Sequence, residues 1–130
     1  MKADIRRADP SKEFATPENC FILELANDSG DPDVSIARAR VLPGMTTEWH
    51  RVEGIDERYV IVRGRGRVEV GGLPPSDVSE GDVVRIPAGV LQRIANIGDE
   101  DLVFLCICTP RFVPTAYVPG RGQDVSGKPG

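Results

Sequence analysis

The chain has 130 residues and a net charge of −4, with 40% hydrophobic and 28% charged residues. That length fits one domain around one core, and the composition is that of an ordinary globular protein. The acidic balance speaks against a nucleic-acid partner held by a basic surface, and the longest apolar run, Leu102 to Cys108, is far too short to cross a bilayer. Met1 to Pro10 mixes both charge signs without an apolar segment, so no export signal is expected there. Three Cys, an odd number, without such a signal point to a reduced, cytoplasmic setting.

In chain order, residues 1–13 are polar and read as a loosely held tail. Phe21 to Leu25 reads as a strand closed by the turn Asn27-Asp28-Ser29-Gly30. Val34 to Leu42 alternates in places and stops at Pro43-Gly44. Thr46 to Val52 is polar but compatible with a strand. Glu57 to Val62 is a strand interrupted by Gly64 and Gly66, and Arg67 to Val70 alternates again up to Gly71-Gly72. Leu73 to Pro75 is a loop, Val83 to Ile86 a strand ended by Pro87-Ala88-Gly89, and Leu91 to Ala95 a strand ended by the turn Asn96 to Asp99. Leu102 to Thr109 is apolar on both faces and predicts a fully buried strand, stopped by Pro110. Pro119 to Gly130 is rich in Gly and Pro and predicts a second flexible tail. Fourteen Gly and 11 Pro leave little room for helices, and many short strands between turns predict an all-β sandwich or barrel.

Two segments carry a more specific pattern. In the first, five residues separate Gly44 from His50, Val52 follows two later, four residues lead to Glu57 and six more to Gly64. In the second, five residues separate Gly81 from Pro87, Gly89 follows two later, two residues lead to Gln92 and three to Asn96. These spacings resemble the two motifs of the cupin superfamily, and the phrases ERYVI, QRI and FLCICTPRF resemble small single-domain bacterial cupins. Every framework Gly, Pro and Asn of the pattern is in place. The resemblance covers roughly Cys20 to Tyr117. It implies a double-stranded β-helix, or jelly-roll, barrel forming a single domain over 1–130, with its core at about 20–117 and tails at 1–13 and 119–130.

The usual cupin site holds a divalent metal with three His and one Glu. Here the matching positions are His50, Val52, Glu57 and Gln92, so two of the three His are replaced. Strand parity still gives His50 and Val52 a common face, Glu57 and Tyr59 another, and Gln92 and Ile94 a third. A barrel would bring these rows together inside, around one ligand. One imidazole, one carboxylate and one amide oxygen could hold Mn, Fe, Ni or Zn with waters, giving a metal site at His50, Glu57 and Gln92. Against that, a lone His is more often structural, and Gln92 could simply hydrogen-bond Glu57. Glu57 and Tyr59 are the candidate catalytic pair, Glu57 as ligand or base and Tyr59 as donor or acid; the plainer reading of Tyr59 is a core aromatic. Glu48 shares the parity of His50 but reads better as an exposed rim residue.

Arg38 and Arg40 would favour an anionic ligand if their face is interior, while an outer, solvated face is commoner for charges. Arg63, Arg65 and Arg67 read as a solvated hairpin, Arg58 and Arg93 as outward, and Trp49 as cover for the outer face beside His50. Cys106 and Cys108 read as core thiols.

Two functions remain open from sequence. One is a metal-dependent enzyme, isomerase- or epimerase-like, acting on a small polar or anionic metabolite. The other is a non-catalytic small-molecule-binding or sensing cupin with a degenerate metal site. A homodimer is expected in either case, because Phe21, Ile22 and Leu23 form an early apolar strand with no obvious local partner to cover its edge.

Overall fold

The computed structural model describes residues 1–120, so the tail from residue 121 onward lies outside the described residues. Its strands are β1 (Phe14–Ala15), β2 (Phe21–Ala26), β3 (Ser35–Val41), β4 (His50–Val52), β5 (Asp56–Arg63), β6 (Arg65–Val70), β7 (Ser76–Ser79), β8 (Val83–Ile86), β9 (Gln92–Asn96), β10 (Leu102–Thr109) and β11 (Tyr117–Pro119). Two single 3₁₀ turns, Pro10–Lys12 and Pro114–Ala116, are the only helical pieces among the described residues.

The strands form two antiparallel sheets, one of six in the order β1-β2-β3-β10-β5-β8 and one of five in the order β11-β4-β9-β6-β7. From β3 onward the chain passes repeatedly from one sheet to the other, which closes the two sheets into the expected jelly-roll barrel. Inward positions alternate along each strand: Ala39, Tyr59, Ile61, Val68, Ile94, Leu102 and Phe104 meet in the main core, which fills one end of the barrel. A smaller cluster of Val52, Ile55, Cys108 and Ala116 lies apart from it.

The turns follow the chemistry of their residues. Gly44, Gly64, Gly81 and Gly89 all have positive φ, between 79° and 92°, a conformation that costs little only for glycine. Asn96 ties its turn shut: its Nδ2 donates to Val41 O at 2.9 Å and Glu100 O at 2.8 Å, and its Oδ1 accepts from Gly98 N at 2.9 Å.

Four features differ from the sequence reading. Gly66 lies inside β6 rather than breaking it, and a Cβ there would meet the Leu102 and Ile94 side chains at 3.0–3.1 Å, so a side chain there would need both neighbours to shift. Because β5 and β6 belong to different sheets, Gly64 is a crossover rather than the tip of a hairpin. Strand β2 is covered at its start: β3 pairs with one side, and the two-residue β1 pairs with Phe21 and Ile22 on the other. The first residues are also held: Arg6 pairs with Asp28 at 2.6 Å, and Glu13 with Arg40 at 2.6 Å.

Gly64 is the most constrained of the turn glycines. Its φ is +89°, and a Cβ would stand 2.8 Å from the backbone oxygen of Asp101, which cannot give way cheaply. Gly64→Ala is expected to lower stability by about 2 kcal/mol or more. Gly72→Ala, where a Cβ meets nothing within 4 Å, is expected to stay within about 0.5 kcal/mol of the parent. Urea midpoints of the two variants decide this; equal midpoints would refute it.

Candidate functional site

A cavity of about 420 Å³ borders the main core and shares Ala39, Tyr59 and Phe104 with it, a size within the usual range of small-molecule sites. Its walls come from the inner face of the six-stranded sheet and from β4 and β11. Alternation supplies the lining: Ser35, Ala37 and Ala39 from β3, Phe104, Cys106 and Cys108 from β10, and Glu57 and Tyr59 from β5. Cross-strand pairing puts Cys108 beside both Glu57 and Ser35, and Cys106 beside both Tyr59 and Ala37.

Glu57, Tyr59 and Gln92 are all buried and linked side chain to side chain. The Tyr59 hydroxyl donates to Gln92 Oε1. Gln92 Nε2 donates to Glu57 Oε1 at 2.5 Å, and the Cys108 thiol approaches Glu57 Oε2 at 3.8 Å. His50 pairs with Gln92 across β4 and β9 and is half-buried. Its Nδ1 lies 2.9 Å from Glu48 O. A carbonyl can only accept, so Nδ1 carries a proton here, and in the neutral form of the ring the lone pair is on Nε2. The ring stacks on Tyr117, centroids 4.9 Å apart and planes 17° apart.

Burial raises the Glu57 carboxyl above its ordinary range; the charge of His50 and the Gln92 and Cys108 donors offset part of this. Burial, reinforced by the charge of Glu57, pushes the Tyr59 phenol well up, so it remains a donor. The same two causes push the Cys108 thiol up to about 12, which leaves it unreactive as a thiolate.

His50, Glu57 and Tyr59 line the cavity, whereas Gln92 stands behind Glu57 and Tyr59 as a bridge. Val52, in the place of the second His, is buried against Ile55, Cys108 and Ala116. Glu48 is exposed, its carboxylate accepting from Asn19 at 3.2 Å. Arg38 and Arg40 point to the outer face, since Ala37 and Ala39 between them point in. Arg40 there pairs with Glu13 at 2.6 Å and Asp101 at 3.1 Å. The condition for an anionic ligand is therefore not met, and among the described residues no Lys or Arg lines the cavity. Arg58 is outward and bonds Thr109 at 2.6 Å, and Arg93 is outward over the Trp49 ring at 4.5 Å. The sequence reading missed Glu24, Phe112 and Tyr117 as lining residues; the alternation of β2 gave a signal for Glu24 alone.

A divalent ion is what the cupin resemblance implies here, and the donors present do not make a complete site for one. Gln92 Oε1 is committed to Tyr59, and its Nε2 is turned to Glu57. His50 Nε2 and the Glu57 carboxyl remain, two donors where three or four protein ligands are usual. Among the described residues no group of three or more His, Cys, Asp or Glu is placed to hold a metal ion.

The burial of Glu57 has a consequence for stability. Its folded pKa lies above the unfolded value of about 4.3, so the folded state holds the proton more tightly. Stability is then full below that value and is lost as pH rises through the window above it. Gln at this position keeps an oxygen for Gln92 Nε2 without a proton to lose. Glu57→Gln should therefore match the parent near pH 4 and become progressively more stable than it as pH rises above that. Urea denaturation across that window checks this, and Glu24, raised by burial in the same direction, cancels in the comparison. A stability difference that widened toward acid pH would refute it.

Comparison with known proteins matches residues 37–108 to the cupin domain family. An uncharacterized protein of Methanocaldococcus jannaschii, MJ1618, is 31% identical over 114 residues, 86% of this chain and 90% of that one. Among solved structures, KdgF from Halomonas sp. superposes with a TM-score of 0.76 at 17% identity, covering 88% of this chain and 99% of that one, a likeness of fold. A structure concerned with the Mn(II) centers of Bacillus subtilis oxalate decarboxylase superposes at 0.73 with 25% identity, covering 85% of this chain but only 30% of that one. The doubled motif, the jelly-roll barrel and the family match over its central strands agree, and the chain belongs to the cupin domain family.

Proposed function

We propose that this protein is a small-molecule-binding cupin whose pocket works without a resident metal, with Glu57 as its central polar group. The observation that carries this reading is the engagement of both ends of the Gln92 amide. Its oxygen accepts from Tyr59 and its nitrogen donates to Glu57, so the residue in the third His position ties two neighbours together instead of facing the cavity. Val52 adds packing where the second ligand would stand. In this reading Tyr59 and Gln92 orient Glu57, and His50 presents Nε2 to whatever enters.

A divalent ion, Mn, Fe, Ni or Zn, at His50, Glu57 and Gln92 is the second reading, with a metal-dependent isomerase- or epimerase-like enzyme as its function. The presence of His50 and Glu57 in one pocket favours it. It requires Gln92 Oε1 to leave Tyr59.

Elemental analysis of protein purified without a metal-affinity column separates the two. The expected metal content is far below one ion per chain, and added Mn, Fe, Ni or Zn should leave the melting temperature unchanged. A stoichiometric metal that disappears in His50→Ala would overturn the metal-free reading.

Self-association belongs to the same proposal. Ile36, Val60, Leu105 and Ile107 form an apolar row on the outer face of the six-stranded sheet, each only partly buried. A second copy of the chain covering this row would bury it. Light scattering at micromolar concentration is expected to give a dimer mass; a monomer mass would remove this part of the reading.

A further inference from the structure

We infer that the pocket selects an organic cation, an amine or quaternary ammonium carried on an aromatic or alkyl body; this rests on the small-molecule reading above and adds the ligand's charge. The first ground is the distribution of aromatic side chains. The chain has four Phe, two Tyr and one Trp, and all but Phe21 and Trp49 line this one cavity. Phe104 packs on Tyr59 with centroids 4.5 Å apart, and Tyr117 stacks on His50. Phe14 and Phe112 complete the wall. Such a concentration offers ring faces to an apolar body, and ring faces attract ammonium groups.

The second ground is the sign of the charges. Glu18, Glu24 and Glu57 line the cavity, and no Lys or Arg among the described residues does. Glu24 is exposed and Glu18 half-buried, so they mark the entrance, whereas Glu57 is buried. The Arg111 guanidinium acts on Glu24 through its charge but hydrogen-bonds Asn27 Oδ1, at 2.9 Å, and forms no ion pair with Glu24. The arginines of β3 are on the outer face, paired with acids there. A carboxylate or phosphate ligand would enter past two carboxylates and meet a third, with only His50 to receive it. An ammonium group would find carboxylates at both the entrance and the base, with ring faces between them.

The test uses three probes that share one scaffold and differ in charge: phenylpropylamine, phenylpropanol and phenylpropionate. Each is titrated into the full-length protein at pH 7 and followed by the NMR shifts of Ala37, Phe104 and Cys108 against those of the outer face. The amine is expected to bind roughly tenfold or more tightly than the carboxylate, with the alcohol between them. Glu24→Gln, a change at the cavity entrance that removes the charge and keeps the side chain's size, should reduce the preference about two- to threefold. Binding of the carboxylate as tight as or tighter than the amine would overturn the charge inference and leave the small-molecule reading standing. No saturable shift with any of the three would overturn both.

Discussion

A carboxyl group in the wall of a barrel has to be given hydrogen-bond partners, and here one amide supplies the connection. Glu57 and Tyr59 sit two apart on β5 and Gln92 on β9, strands that belong to different sheets. The chain from Tyr59 through Gln92 to Glu57 therefore crosses the interior and ties the two sheets together where the main core gives way to the cavity. Its direction is fixed by the amide: the oxygen accepts only and the nitrogen donates only, so the phenol must donate and Glu57 Oε1 must accept. When Glu57 is protonated, its hydrogen belongs on Oε2, the oxygen that faces Cys108. The polar groups at the pocket base are thus held in one arrangement, which is the condition for a buried polar network to stabilise rather than weaken a fold.

The parts of this molecule legible in the sequence are those set by local chemistry. Turn glycines at fixed distances gave the strand reversals, and Leu102 to Thr109, apolar on both faces, gave the central strand β10, bonded to β3 and β5. Period-two alternation placed Glu57 and Tyr59 on a common face and put Cys106 with Cys108. The strands that escaped notice, β1, β7 and β11, are two to four residues long and too short to show a period; pairing with a neighbour makes them, not their own sequence. Thr46 to Val52 reads as one strand, yet only His50 to Val52 is one, with Thr46 contributing an isolated bridge to Ala95.

The same limit applied to the site. Spacing brought out His50, Glu57 and Gln92, but only the fold shows that Gln92 lies behind the wall rather than on it. Tyr117 was invisible for a related reason: it reaches His50 because β11 pairs antiparallel with β4, Pro119 opposite His50, a contact across 67 residues that no local pattern announces. Gly66 illustrates the converse. A glycine in a strand suggests a break, and here its small size serves the packing of Leu102 and Ile94.

The charge of the pocket depends on parity in β3 more than on the net charge of the chain. Within Ser35–Val41 the sequence alternates Ala37, Arg38, Ala39, Arg40, and the register with β10 sets Ala39 opposite Phe104 and Arg40 opposite Val103. A slip of one residue would exchange the two sets, placing both guanidinium groups beside Glu57 and both methyl groups outside. The outer partners resist that slip. Arg40 is held by Glu13 and Asp101 together and lies over the Phe21 ring at 4.4 Å. Glu13 stands just before β1, the strand that covers β2 and carries Phe14 to the pocket wall. The ion pairs on the outside of the barrel thereby fix which side chains are inside it, and the small, uncharged alanines they leave facing inward keep the cavity open and its carboxyl groups unneutralised.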